Sequence, residues 1–207
     1  MLRHYLEVKA EHQDAILFYR MGDFYELFFE DAQTAAPILE VQLTARQKGT
    51  ESEAPMCGVP HHAVDGYIGK LLHEGYKVAV CEQVEDPAEA KGLVKREVTR
   101  VVTPGTLSEP ELLTGKEDNL LASLVWNDDR GAAAFLDVST GRFFVRRFES
   151  PEEGYQDLAL HAPREVLYRD GIPREMLDWV DREALSSTHL EGDRLLDPKA
   201  MTRPSRS

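Results

Sequence analysis

The sequence predicts an α/β fold, because short apolar runs typical of strands alternate with segments that have the apolar spacing of helices. The run "AILFYR" (residues 15–20) is apolar and bounded by Gly22, which is typical of a buried strand. In "AVDGYIGKLLHEG" (63–75) apolar residues recur at helical spacing, and "KVAVCEQV" (77–84) again has the pattern of a strand. This alternation indicates a mixed sheet packed against helices.

The other elements of the first half follow from the same patterns. They are a short N-terminal helix over 2–13, one helix over 23–36 that ends at Pro37, a strand over 39–45, an extended piece over 55–60 and a closing strand in "LVKREVTRVVTPG". We therefore expect a first domain over residues 1–103. Residues 104–118 hold two prolines, two glycines and few large apolar side chains, which predicts a linker.

The second domain is expected over residues 119–207, and it again mixes strands and helices. The predicted elements are three strands joined by tight turns at 127–130 and 139–141, a helix over 151–162 and a strand over 165–170. From residue 187 onward the apolar pattern fades, which predicts a loose tail.

The charge of the chain argues against a basic nucleic-acid-binding body. The net charge is −13, and the first 103 residues carry 11 Lys and Arg against 17 Asp and Glu. Bulk attraction to phosphates is therefore absent from the composition, so any DNA binding has to come from local basic loops and short-range contacts. Binding of that kind is expected to weaken at high salt.

Targeting signals and cysteine usage predict a cytoplasmic protein without a membrane partner. The sequence has no apolar run of about eighteen residues, and its N-terminus lacks the apolar block of a signal peptide. Cys57 and Cys81 each stand alone among apolar residues, which predicts reduced core thiols rather than a disulfide or a metal site. His61 and His62 have no partner at metal-ligand spacing, so no metal is predicted there.

The stretch "MGDFYELFFEDA" (21–32) carries more aromatic rings than a helix needs for its core. Asp23 and Glu26 have capping-box spacing, and Gly22 suits a corner between a strand and a helix. Phe24 lies at the edge of the apolar stripe of the predicted helix. Two interpretations stay open for Phe24: a residue at the edge of the core, or a ring exposed for a ligand.

Several motifs together resemble the N-terminal part of the MutS family of bacterial DNA mismatch-recognition proteins. They are "FYRMGDFYELFFEDA", "LTARQKG", "MCGVPHHAVDGYIGKLL", "VAVCEQVEDP", "KGLVKREVTRVVTPGT" and "DNLLASL", which keep their order along most of residues 1–148. The resemblance implies that residues 1–103 are a mismatch-recognition domain. It also implies that residues 119–207 begin a connector domain with a ribonuclease-H-like fold.

The resemblance also assigns roles to particular residues. It implies that Phe24 wedges into the base stack of mispaired or looped-out DNA and that Glu26 hydrogen-bonds the displaced base. A mispair has already lost part of its stacking, so a ring enters there more easily than in a paired duplex. Stacking of the ring on a base contributes about 1–3 kcal/mol, so insertion of Phe24 would report how easily the DNA deforms. Our hypothesis is that Glu26 swings from the capping box to the base on binding, in a protonation state that the sequence leaves open.

Basic residues that follow "VQLT" are the nearest local positive charge to Phe24. The resemblance implies that Arg46 contacts the DNA backbone. For Lys48, a backbone contact and a solvated loop charge are both open interpretations.

Two other classes of function remain as alternatives. A protein-docking fragment of the repair machinery, without DNA binding of its own, is the stronger alternative. A nuclease is the weaker one: Asp137 in "FLDVSTGRF" has the place of a metal-binding strand carboxylate, but two-metal chemistry needs several converging carboxylates. Only Asp170 occupies a comparable position, so a turn-associated role for Asp137 is favoured, in line with the non-catalytic connector of the family.

The family pattern is incomplete in this sequence. Full-length members continue into a clamp and an ATPase with a phosphate-binding loop, and "TGKED" (114–118) lacks both the earlier glycine of that loop and the Ser or Thr that follows its lysine. We therefore expect a fragment that is not an enzyme and uses no cofactor, although the full-length family uses ATP and Mg. The resemblance allows a MutL-type partner at the connector domain, and it implies a homodimer only for the full-length family.

Overall fold

The computed structural model describes residues 1–47, 49, 53–85, 94–107, 118–127, 129–183 and 185–190. The helices are α1 (Leu2–Glu11), α2 (Phe29–Leu39), α3 (Val64–His73), α4 (Pro151–His161) and α5 (Arg174–Arg182). The strands are β1 (Ala15–Met21), β2 (Phe24–Phe28), β3 (Thr44–Arg46), β4 (Ala54–Pro60), β5 (Lys77–Gln83), β6 (Arg96–Val102), β7 (Leu120–Asn127), β8 (Arg130–Asp137), β9 (Phe143–Phe148), β10 (Glu165–Tyr168) and β11 (Ser186–His189). The α/β fold class with mixed sheets is confirmed.

The first sheet has the strand order β3-β4-β2-β1-β5-β6, in which β1 and β5 are parallel and the other neighbouring pairs are antiparallel. Side chains of a strand alternate between the two faces of a sheet. On one face Phe18, Tyr25 and Leu27 join the core formed with α2 and α3. On the other face Tyr19 and Phe28 pack with Tyr5 of α1. Coverage of both faces explains why β1 is almost wholly apolar.

The prediction of one helix over residues 23–36 is wrong, because the structure has a strand in the first part of this range and a shorter helix after it. β2 (Phe24–Phe28) pairs with β1 on one side and with β4 on the other. α2 starts only at Phe29, and its N-cap residue makes no side-chain capping bond, so the predicted cap by Asp23 is also wrong. In "FYELFF" the rings have helical spacing, at positions 24, 25, 28 and 29, but backbone pairing with β1 and β4 makes residues 24–28 a strand.

Two further boundaries differ from the prediction. Pro37 lies inside α2, in its last turn, where the loss of a single backbone donor is tolerated. The helix ends at Leu39, and Glu40 caps it in a left-handed conformation with φ 57° and ψ 38°. The strand predicted over 39–45 is much shorter, because Leu39 still belongs to α2 and β3 covers only Thr44–Arg46.

The second sheet has the order β11-β10-β7-β8-β9, with β10 parallel to both of its neighbours and β7, β8 and β9 antiparallel. α4 and α5 cover one face, where Phe135, Phe148 and Met176 are fully buried. The predicted strands β7 to β10 and helix α4 are present, whereas α5 and β11 had not been predicted. Residues 187–189 are the end of β11 rather than the start of a tail, and residues 191–207 lie outside the described residues.

The two sheets lie on either side of the predicted linker, and the domain bounds themselves stay a prediction. Lys77 at the start of β5 contacts both halves: its Nζ donates to Asp14 at 2.9 Å and to the carbonyl of Ser187 at 3.0 Å. The N–H of Gly105 donates to the buried carboxylate of Glu165 at 3.2 Å. Among the described residues, none of the helices combines the length and the apolar composition of a membrane span.

The two cysteines are buried free thiols, as predicted. Burial raises the pKa of both Cys57 and Cys81 to about 11, so they stay protonated and unreactive at neutral pH.

Candidate nucleic-acid interface

The site is built on the hairpin that joins β1 to β2. Cross-strand pairing runs to Met21 and Phe24, which leaves Gly22 and Asp23 as a two-residue turn. Gly22 has φ 59°, a conformation that a side chain would strain. The carbonyl of Asp23 accepts a hydrogen bond from the N–H of His61 at 2.9 Å, which anchors the turn to the end of β4. The hairpin tip is therefore held from two sides.

Phe24 is the first residue of β2, and its side chain is exposed. It is 48% exposed, whereas Tyr25, Leu27 and Phe28 along the same strand are at most 3% exposed. Its backbone lies between Met21 of β1 and Pro60 of β4. Among the described residues, no aromatic pair involves Phe24.

Glu26 lies two residues further along β2 and therefore on the same face of the sheet as Phe24. Its side chain is 20% exposed, and Oε2 lies 3.4 Å from Nη1 of Arg46. Burial raises the pKa of Glu26 above its ordinary value, although the guanidinium of Arg46 acts in the opposite direction. The neutral carboxyl is thus more accessible at Glu26 than at an exposed glutamate.

Arg46 is the last residue of β3 and faces Glu26 across β4. Its side chain is 37% exposed, so the guanidinium reaches both the carboxylate and solvent. The expected capping bond of Glu26 does not exist, because the residue lies in a strand, and Arg46 is its partner instead. Lys48 lies outside the described residues.

Sequence reasoning missed one buried charge beside the hairpin. Arg96 on β6 is only 6% exposed, and its Nε donates to the carbonyl of Arg20 at 2.8 Å. The sequence around it, "KREVTR", looks like an ordinary solvated edge strand and holds no signal for this burial.

Asp137, the candidate nuclease residue, has a structural role in the β8–β9 turn. Its carboxylate accepts hydrogen bonds from the N–H and hydroxyl of Ser139, from the N–H of Thr140 and from the N–H of Asn119. Burial acts to raise the pKa of Asp137, but these hydrogen bonds outweigh it and hold the pKa below its ordinary value. Asp170 pairs with His189 at 3.0 Å instead of converging on Asp137.

No metal centre is formed by the part of the chain that the structure describes. Within it, no group of three or more His, Cys, Asp or Glu side chains is placed to hold a metal ion. The rings of His61 and His62 are 6.0 Å apart and nearly perpendicular, and His61 takes part in the anchoring of the hairpin turn through its backbone.

Comparison with known proteins gives a consistent relationship. The family model described as MutS domain I matches residues 1–111, and that described as MutS domain II matches residues 119–191. The DNA mismatch repair protein MutS of Nitratidesulfovibrio vulgaris is 54% identical over 174 residues, which cover 83% of this chain and 19% of that relative. The same-named proteins of Brevibacillus brevis and Syntrophomonas wolfei are 46% identical over 207 residues and 57% identical over 145 residues.

These matches cover most of this chain but only a small part of each relative. For the Brevibacillus and Syntrophomonas proteins, the matches cover 95% and 70% of this chain but 24% and 17% of the relatives. The chain thus spans about a fifth of the length of the curated relatives it matches. Since the domain I model alone matches more than half of the 207 residues, the chain belongs to the MutS family.

Proposed function

We propose that this chain recognises mispaired or looped-out bases in duplex DNA during mismatch repair, with Phe24 as the residue that enters the base stack. The observation that carries the proposal is the half-exposed ring of Phe24 at the tip of a hairpin whose other rings are buried. The relatives, whose names state a role in DNA mismatch repair, support the substrate.

The position of Phe24 suits a ring that tests the strength of base stacking. Opening a stacked step costs a few kcal/mol, and the cost is lower where a mispair has weakened the stack. A wedge can exploit that difference only if it stays in place when it meets resistance. The backbone of Phe24 is paired on both sides, and Gly22 and Asp23 form a short anchored turn, so the ring is presented by a stiff support.

Glu26 and Arg46 are proposed to exchange partners when DNA binds. In the free chain they face each other at 3.4 Å. A phosphate near β3 would compete for the guanidinium of Arg46, with Lys48 as a second backbone contact. Without Arg46, the pKa of Glu26 is expected to rise further, which favours a neutral carboxyl that donates a hydrogen bond to a purine nitrogen.

Substitution of Glu26 by glutamine tests this exchange through pH. The preference of the parent chain for mispaired over paired duplex is expected to fall as pH rises, because the proton on Glu26 is lost. The preference of Glu26→Gln is expected to stay constant, because the amide donates at every pH. Fluorescence anisotropy at low salt between pH 5.5 and 8.5 measures both profiles, with Glu30→Gln on the exposed start of α2 as the matched control. Identical profiles for the parent and Glu26→Gln would refute the exchange.

The chain itself is proposed to be non-catalytic and cytoplasmic. The hydrogen bonds that Asp137 accepts from its own turn explain its burial without a metal, which leaves a nuclease function without a candidate carboxylate cluster among the described residues. ATP binding and dimerisation are proposed only for the longer family members. For this chain, the corresponding proposal is a MutL-type partner that binds the connector domain.

A docking function is the second candidate, and one observation favours it. On the face of the second sheet opposite α4, Val125, Phe143 and Val145 are 49%, 63% and 53% exposed. Exposed apolar strand residues of this kind often mark a contact surface for protein. Docking and mismatch recognition use different domains, so the two functions are compatible.

A direct comparison of duplexes separates the two candidates. The parent chain is expected to bind a duplex with one mispair more tightly than its fully paired counterpart at low salt, and to lose affinity for both as salt increases. Fluorescence anisotropy with labelled duplexes of equal length measures the ratio of the two dissociation constants. Equal affinity for both duplexes would remove the mismatch function from this chain and leave docking as the better proposal.

A further inference from the structure

We propose that Arg96 is a positioning residue for the Phe24 hairpin: from the edge strand β6 its guanidinium fixes the end of β1 and thereby sets how the ring meets DNA. The inference deepens the proposed function and rests on it. Arg96 lies on a different strand from Phe24, and it acts through residues 19–21 rather than through a contact with DNA.

The contacts of Arg96 converge on the last three residues of β1. Nε donates to the carbonyl of Arg20 at 2.8 Å, and Nη2 lies 3.7 Å from Sδ of Met21. The guanidinium carbon lies 5.2 Å from the centre of the Tyr19 ring, a cation–π geometry. Nη1 donates to the carbonyl of Val94 at 2.7 Å, which ties the same side chain to the beginning of its own strand.

These contacts reinforce the end of β1, where the pairing with β2 continues but the pairing with β5 has ended. The parallel pairing of β1 with β5 ends at Tyr19 and Cys81. Beyond that point, the carbonyl of Arg20 accepts a hydrogen bond from Nε of Arg96. Met21, the next residue, is the cross-strand partner of Phe24. Arg96 thus supports the strand end directly opposite the wedge.

Arg96 is buried and is therefore not an ordinary surface charge. The residue is 6% exposed, and a guanidinium removed from water requires hydrogen-bond acceptors or a π face to offset its lost hydration. Here backbone carbonyls and the ring of Tyr19 provide them. Tyr19 is itself fixed, since its hydroxyl lies 2.9 Å from Nδ1 of His4 and its ring packs edge-on against Tyr5. The support of the hairpin therefore extends from β6 through Tyr19 to α1.

Arg100 on the same strand provides a matched control. It is the same residue type, four positions later, but it is exposed and pairs with Asp65 of α3 at 2.7 Å. Exposed ion pairs of this kind contribute little to stability. Arg100→Met therefore removes the same charge from β6 without touching the hairpin.

The first measurement is hydrogen exchange of the full chain without DNA. Arg96→Met keeps the length of the side chain and removes its donors, and amide exchange of residues 20–24 is expected to accelerate by about tenfold or more. Exchange in β7 and β8 is expected to stay at the parent rate, as is exchange at all sites in Arg100→Met. Unchanged exchange of residues 20–24 in Arg96→Met would overturn the proposal, and so would an equal acceleration throughout the chain.

The second measurement is the ratio of affinities for mispaired and paired duplex. Arg96→Met is expected to reduce this ratio by about fivefold or more, because a wedge on a yielding support distinguishes weak from strong stacks less well. Arg100→Met is expected to keep the parent ratio. A parent ratio of one would refute the proposed function and leave the exchange result as the test of positioning, whereas a parent preference retained in Arg96→Met would refute positioning alone.

A second variant keeps the test decisive if Arg96→Met does not fold. Arg96→Lys retains the charge but loses the planar fork that serves two carbonyls at once. Intermediate acceleration of exchange at residues 20–24 is expected, with an intermediate loss of mismatch preference. Parent-like values of both in Arg96→Lys would show that charge alone suffices and would overturn the role assigned to the fork.

Discussion

Replacement of Phe24 by alanine is expected to abolish the preference for mispaired over paired duplex, with a loss of about tenfold or more in affinity for the mispaired one. Stacking of the ring on a base contributes about 1–3 kcal/mol, and alanine has no surface that replaces it. Affinity for the paired duplex is expected to change little, because that binding depends on phosphate contacts. Anisotropy titrations of the two duplexes at low salt measure both quantities.

The stability of Phe24→Ala separates a functional ring from a structural one. Since Phe24 is 48% exposed, its removal is expected to lower the free energy of unfolding by less than about 1 kcal/mol. Phe143→Ala is the matched control, because Phe143 is an exposed phenylalanine of the second sheet, at 63% exposure, and lies outside the proposed interface. Survival of the mismatch preference in Phe24→Ala, or its equal loss in Phe143→Ala, would contradict the assignment of the wedge.

The largest effect on stability is expected from Asp31→Ala. Asp31 of α2 is 6% exposed, and its carboxylate accepts hydrogen bonds from the hydroxyl of Tyr5 at 2.8 Å, from Nζ of Lys9 at 2.8 Å and from the N–H of Leu17 at 3.1 Å. Burial and the nearby Asp31 raise the pKa of Tyr5, so the phenol stays protonated and donates. Alanine removes the shared acceptor: the N–H of Leu17 loses its partner, while Lys9 keeps the carbonyls of Gln13 and Ala15 and Tyr5 keeps that of Phe28. The expected loss is about 1–3 kcal/mol in the free energy of unfolding.

Urea unfolding followed by circular dichroism checks this expectation. The neighbouring Glu30 is exposed and serves as the control, because Glu30→Ala removes one carboxylate from the same helix turn and is expected to change stability by less than about 0.5 kcal/mol. Equal midpoints for the two variants would show that the network of Asp31 does not hold α1 to the sheet.

The sequence predicts the fold class well because both periodicities are strong where elements are long. β1 is an almost wholly apolar run and α3 has a clear apolar stripe, so each was identified with nearly correct bounds. The segment "FYELFF" has helical ring spacing, at positions 24, 25, 28 and 29, which led to the wrong prediction of a helix. Its strand state depends on β4, which lies some thirty residues away in the sequence and is invisible to a local pattern.

The candidate site was predictable in part for the same reason. Phe24 and Glu26 were singled out through the family resemblance, yet the reason they share one face of the sheet is the alternation of a strand and not the geometry of a helix end. The ion pair of Glu26 with Arg46 arises from the order of the strands in the sheet. The contact of Arg96 with β1 arises where the pairing of β1 with β5 ends. Neither has a signature in the spacing of residues, since both depend on which strands become neighbours.

The parallel pairing of Ala15–Tyr19 with Lys77–Cys81 has a consequence for synthesis on the ribosome. The central strand β1 acquires its second neighbour only after the intervening sixty or so residues have left the exit tunnel, because a parallel partner requires a long crossover. Until then the aromatic segment 18–29 emerges with one edge open and its rings exposed to water. Nascent chains of this protein are therefore expected to bind chaperones in the interval before residues 77–83 appear, and to release them once the sheet closes.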